Sequence, residues 1–176
     1  IFGFEDSYGY LSGTYVRDKD AVVASMLICE MAAYYRKQGK NLLQVLEELY
    51  AEYGVFRHSL LNAEFEGASG MAAMQRLMAS LREKRPASIA GLRVVRFSDY
   101  QASEQTDLLT GETVKLDLPK SNVLSFGLEK GAGVIVRPSG TEPKIKSYIT
   151  ATGADVAAAD AMAAALRAAA EQLLKA

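Results

Sequence analysis

Arg137, Ser139, Gly140 and Thr141 fall within one short run, Arg137-Pro138-Ser139-Gly140-Thr141-Glu142-Pro143, and are residue types that bind a phosphate dianion. A guanidinium can fork to two phosphate oxygens. Ser and Thr hydroxyls can donate to the third. Gly140 reads as the point where the backbone turns, so that its N–H groups face the same concavity. Pro138 and Pro143 stiffen the run and remove donors. Lys144 and Lys146 add positive charge just beyond it, Lys144 reading as solvated. A bare polar turn between paired strands accounts for the same residues and leaves Arg137 in water. Local chemistry leaves both readings open.

A second constellation stands at the other end of the chain. Gly3-Phe4-Glu5-Asp6-Ser7-Tyr8-Gly9-Tyr10 is followed by Arg17-Asp18-Lys19-Asp20. The Glu5 carboxylate can accept from two vicinal hydroxyls, and Ser7 can donate or accept. On local grounds alone this is a glycine-rich turn with a solvated acid. Lys19 on the same grounds is an ion-pair partner at a helix start, or solvated.

The elements that must hold these residues are legible from periodicity. Gly133 to Val136 reads as the strand before the phosphate-type run, and Lys144 to Ala151 as the strand after it. Period-two geometry puts Ile145, Ser147 and Ile149 on one face and Lys146, Tyr148 and Thr150 on the other. Upstream, Asp18 is the expected cap of a helix lined by Ala21, Ala24, Ser25, Ile28, Met31, Ala32 and Tyr35, stopped at Gly39. Asn41 is expected to cap a second helix with Leu42, Leu46, Leu49 and Tyr53 inward, ending at Gly54. Val55 to Glu66 is strand-like. Ser69 is the expected cap of a helix with a core stripe of Met71, Met74, Leu77, Met78 and Leu81. Leu92 to Phe97 and Asn122 to Leu128 are strands, 98–117 holds a turn between polar segments, and Glu129 to Gly133 is a hairpin turn. Asp155 caps an alanine-rich helix running to Leu174. The expected fold of 55–176 is α+β, an antiparallel sheet with helices on one face.

The Arg137–Pro143 run resembles the phosphate-binding loop in the C-terminal domain of the α-D-phosphohexomutase family. Gly3–Tyr10, with Arg17–Asp20 after it, is similar to the sugar-binding loop of that family's third domain. Leu118-Pro119-Lys120-Ser121-Asn122-Val123-Leu124 is similar to a stretch typical of its bacterial, glucose-specific members. The resemblance implies that 1–54 is the C-terminal part of the sugar-binding α/β third domain and 55–176 the phosphate-binding fourth. Glu5 and Ser7 would then grip the sugar's 3- and 4-hydroxyls, and Lys19 would approach the ligand. Arg137, Ser139, Gly140 and Thr141 would anchor the non-reacting phosphate, with Lys146 as a second cation. A hinge near Gly54 to Phe56 is expected.

The implied activity of the parent is interconversion of glucose 1-phosphate and glucose 6-phosphate through glucose 1,6-bisphosphate. The family's phosphoserine loop and its loop of three aspartates have no counterpart here. No catalytic residue and no metal ligand is therefore assigned in this chain. Mg2+ is expected in the parent, on N-terminal domains missing from this sequence, and 1–176 alone is expected to be inactive. Phosphomannomutase, phosphopentomutase and hexose-bisphosphate synthase activities share these loops, though Tyr8-Gly9-Tyr10 is more similar to the glucose and pentose branch. A complete chain of this length would instead be a non-catalytic sugar-phosphate-binding module. The family implies a cytoplasmic location.

Composition sets outer bounds. Net charge is −1, so no broad pull on nucleic acid or membrane is expected. No apolar run reaches the roughly 20 residues that span a bilayer. A single Cys29 excludes an intrachain disulfide and reads as a small core hydrophobe. His58, the lone histidine, has no metal partners in sequence. Apolar residues at 49% are ample for a core.

Overall fold

The computed structural model describes residues 2–5, 8–67 and 69–175. The chain divides into two compact units, Ile1–Tyr53 and Gly54–Ala176.

The first unit has strands β1 (Phe2–Phe4) and β2 (Tyr10–Ser12) and helices α1 (Ala21–Lys37) and α2 (Leu42–Tyr53). The strands form an antiparallel hairpin with Phe4 opposite Tyr10. The cap of α1 is Asp20 and not Asp18. The Asp20 backbone is extended, and its Oδ1 accepts from the amides of Val22 at 2.9 Å and Val23 at 3.2 Å. Asp18 turns its carboxylate onto the Lys19 amide instead, at 2.7 Å. Gly39, at φ +75°, takes the left-handed position that stops the helix. Asn41 and Gln44 exchange backbone-to-side-chain bonds at 2.9 Å each, a reciprocal cap that starts α2.

No residue of α1 or α2 is buried. Leu46, Leu49 and Tyr53, expected to point inward, are exposed, and so is Cys29. The physical reason is a shortage of partners. A two-stranded hairpin is too small to cover the apolar faces of two helices.

The second unit is a twisted antiparallel sheet with helices on one face. In chain order it has β3 (Val55–Glu64), α3 (Gly70–Glu83), β4 (Ser88–Ile89), β5 (Leu92–Asp99), β6 (Glu104–Asp107) and β7 (Thr113–Lys115). There follow β8 (Leu124–Leu128), a 3-10 turn at Glu129–Gly131, β9 (Gly133–Pro138), β10 (Lys144–Gly153) and α4 (Val156–Leu173). The strand order is β3-β10-β9-β8-β5-β6-β7, with β4 paired to β5. Buried residues alternate along β8, β9 and β10, so one face is dry. Phe126, Leu124, Val134, Val136, Ile145 and Ile149 fill that face and pack with Met74, Met78 and Leu81 of α3 and Leu166 and Ala170 of α4.

Asp155 caps α4 as expected, accepting from the Ala158 amide at 2.7 Å. Ser69 precedes α3 without a side-chain capping bond, because its own backbone is already helical. Met71 is exposed while the rest of its stripe is buried. β6 and β7 are strands where only a turn was expected. Their residues are mostly polar and exposed, so no apolar alternation marks them.

Candidate functional site

The phosphate-type loop joins β9 to β10. Sheet periodicity sends Val136 and Ser147 into the core and turns Arg137 and Lys146 out to the open face. The β9–β10 register sets Arg137 directly opposite Lys146. Cross-strand partners stand about 5 Å apart at Cβ, so one anion can meet both cations. Neither has an ion-pair partner among the described residues. Lys144, read as solvated, is instead paired to Glu64 at 3.5 Å.

The loop is closed by backbone bonds from Ser139 N–H to the Lys144 carbonyl at 2.7 Å and from Lys144 N–H to the Glu142 carbonyl at 2.8 Å. The Ser139 hydroxyl oxygen accepts from the amides of Thr141 at 3.4 Å and Glu142 at 3.3 Å. Its own proton stays free to donate to an anion. Thr141 is exposed at the tip. Gly140 departs from the reading of its backbone. It lies outside the left-handed region, so the turn itself does not demand glycine. A Cβ there would meet nothing within 4 Å, so the space beside the loop is open to a ligand.

In the first unit the loop between β1 and β2 is tied by the Glu5 amide to the Gly9 carbonyl at 2.7 Å and the Tyr8 amide to the Glu5 carbonyl at 3.1 Å. Lys19 Nζ lies 3.4 Å from Glu5 Oε2 and 3.8 Å from Asp18 Oδ1. Two of the expected sugar-contacting residues are thus brought together, presenting an acceptor and a donor side by side. Vicinal hydroxyls need that combination. Ser7, the third, and Asp6 lie outside the described residues.

Gly9 is a residue that sequence reasoning passed over. A Cβ there would run into the Lys19 side chain and approach Glu5 Oε2 at 3.0 Å. Glycine at this place makes room for the Glu5–Lys19 pair. The signal in sequence was a glycine held between two tyrosines.

Asp20 accepts from the Asp20-facing hydroxyl of Tyr15 at 2.9 Å, and its amide donates to the Tyr10 carbonyl at 2.8 Å. These bonds fasten the start of α1, and with it Lys19, to β2. The Tyr15 hydrogen bond first, and then the Val23 amide, hold the Asp20 carboxyl below the ordinary carboxylate range, while the Tyr15 hydroxyl is pushed up.

His58 stands on the open face of β3, with Nδ1 3.2 Å from Thr150 Oγ1. No group of three His, Cys, Asp or Glu that could hold a metal ion occurs among the described residues. Nor is any helix among them long and apolar enough to cross a membrane.

Residues 1–53 match alpha/beta/alpha domain III of the phosphoglucomutase/phosphomannomutase family, and residues 60–169 match its C-terminal domain. The chain belongs to this family. A phosphoglucomutase of Staphylococcus epidermidis is 38% identical over 150 residues, covering 85% of this chain and 27% of that protein. A phosphoglucomutase of Staphylococcus aureus is 41% identical over the same length and shares. The chain thus spans about a quarter of the length of the curated relatives it matches. Among solved structures, the open form of parafusin, a phosphoglucomutase from Paramecium, matches 97% of this chain and 29% of its own. Its TM-score is 0.65 at 15% identity, a likeness of fold.

Proposed function

We propose that this chain is the C-terminal, ligand-binding part of a phosphoglucomutase that interconverts glucose 1-phosphate and glucose 6-phosphate. The observation that carries the reading is the cross-strand pair Arg137–Lys146 beside the Ser139–Thr141 loop, two cations without an ion-pair partner among the described residues, in a domain of this family. The Staphylococcus phosphoglucomutases support the choice of glucose over mannose.

In this reading Arg137, Lys146, the Ser139 and Thr141 hydroxyls and the backbone at Gly140 hold the phosphate that does not react. Glu5, Lys19 and Ser7 read sugar hydroxyls. Binding energy at these remote groups positions the reacting end of the sugar. The phosphoserine that exchanges the phosphoryl group belongs to the rest of the polypeptide, with glucose 1,6-bisphosphate as the intermediate. The ligands of Mg2+ are likewise assigned to the rest of the polypeptide, where the ion would stabilise charge on the transferring phosphoryl group. A cytoplasmic location follows from the same reading.

The test is turnover by the full-length protein with magnesium. Glucose 1-phosphate is expected to be converted to glucose 6-phosphate with higher kcat/KM than mannose 1-phosphate is converted to its 6-phosphate. Absence of turnover on glucose 1-phosphate, from a folded full-length protein, would defeat the proposal.

A further inference from the structure

Two neighbouring rungs of the β3–β10 ladder treat a lysine differently. In one, Lys144 faces Glu64 and the two form an ion pair at 3.5 Å. In the next rung on the same face, Lys146 faces Asn62. Asparagine has the shape of aspartate without its charge. It is disfavoured in strands, whose pleated surface suits branched and aromatic side chains. Asn62 is exposed, and its side chain makes no hydrogen bond among the described residues. Neither packing nor local bonding accounts for an amide at this place.

Electrostatics does. Lys146 stands between Arg137 on β9 and Asn62 on β3, so the row across the open face reads guanidinium, ammonium, amide. An aspartate in the third place would neutralise Lys146, as Glu64 neutralises Lys144, and would set a negative charge beside a cation meant for the anion. An amide does neither.

We propose that Asn62 is a charge-determining residue of the phosphate site, keeping Lys146 uncompensated by placing a neutral side chain on its β3 side. The inference rests on the phosphate-anchor reading of Arg137 and Lys146. It adds a residue of β3, more than seventy positions upstream of the loop, to that site.

The experiment is calorimetric titration of glucose 1-phosphate into the full-length protein and its Asn62→Asp, Asn62→Ala and Arg137→Ala variants, with the thermal midpoint of each as a control for folding. Asn62→Asp is expected to raise Kd by about tenfold and Asn62→Ala by no more than about threefold, with thermal midpoints unchanged. The Asp penalty is expected to shrink with rising salt, and to shrink again in a Lys146→Ala background, because it acts through that charge. Binding by Asn62→Asp within about twofold of wild type, while Arg137→Ala loses affinity, would overturn the inference and leave the anchor reading standing. Equal losses in Asn62→Asp and Asn62→Ala would also overturn it, since shape and not charge would then matter. Wild-type binding by Arg137→Ala would defeat the anchor reading, and the inference with it.

Discussion

Arg137 shares its open-face rung with a second cation and has no acid to satisfy it among the described residues. Two like charges side by side are held there against their mutual repulsion, which a bound dianion would relieve. Arg137→Ala in the full-length protein should therefore lower kcat/KM for glucose 1-phosphate by about 2–4 kcal/mol, the scale of stripping one partner from a desolvated charged contact. Because Arg137 is exposed, its thermal midpoint should hold. An unchanged kcat/KM in steady-state assays would remove Arg137 from the site. At this scale the sequence was a partial guide. Residue types and spacing marked Arg137, Ser139 and Thr141, and strand periodicity put Lys146 on the outer face. What stayed hidden was pairing across strands. Glu64 with Lys144 and Asn62 with Lys146 are set by the β3–β10 register, and register joins segments about eighty residues apart.

The elements carry these residues by fixing β10, and α4 fixes β10 from behind. Ile145 and Ile149 of β10 pack in one core with Leu166 and Ala170 of α4, all nearly free of solvent. Gly153, where β10 gives way to the helix, has no room for a Cβ, which would overlap the Ala159 amide. The first turn is held by Asp155, whose carboxylate accepts from the Ala158 amide at 2.7 Å. Asp155→Ala should lower the unfolding free energy by about 1 kcal/mol, seen as an earlier urea midpoint at unchanged m-value. Asp155→Asn should recover most of the loss, since the amide oxygen caps as well. No change in midpoint for Asp155→Ala would mean that tertiary packing alone sets the start of α4. The caps of α2 and α4, Asn41 and Asp155, were legible in the sequence, whereas Ser69 before α3 makes no capping bond because its backbone is already helical. The exceptions have local causes. Asp20 displaced Asp18 because it is the residue next to the first helical turn and also takes the Tyr15 hydroxyl. β6 and β7 hid in polar sequence because their pairing, and not burial, makes them strands.

Across the whole molecule, burial is unevenly divided. Among the described residues, every buried hydrophobic one, from Val55 to Leu174, belongs to Gly54–Ala176. The first unit instead exposes Met26, Ile28, Met31, Leu43, Leu46 and Leu49. Cooperative unfolding needs a core whose burial offsets the lost chain entropy, and the second unit has one. Residues 54–176 expressed alone should therefore melt in a single transition, with an unfolding enthalpy of about 90 kcal/mol near 60 °C by the usual per-residue scaling. Residues 1–53 alone should show weak helicity and no cooperative melt, since helices without a packed face are marginal in water. Circular dichroism and calorimetry on the two pieces would check both expectations. A cooperative melt from 1–53 as a monomer would mean that its helices find a core of their own. A non-cooperative 54–176 would mean that the sheet holding Arg137, Lys146 and Asn62 in register depends on chain outside it.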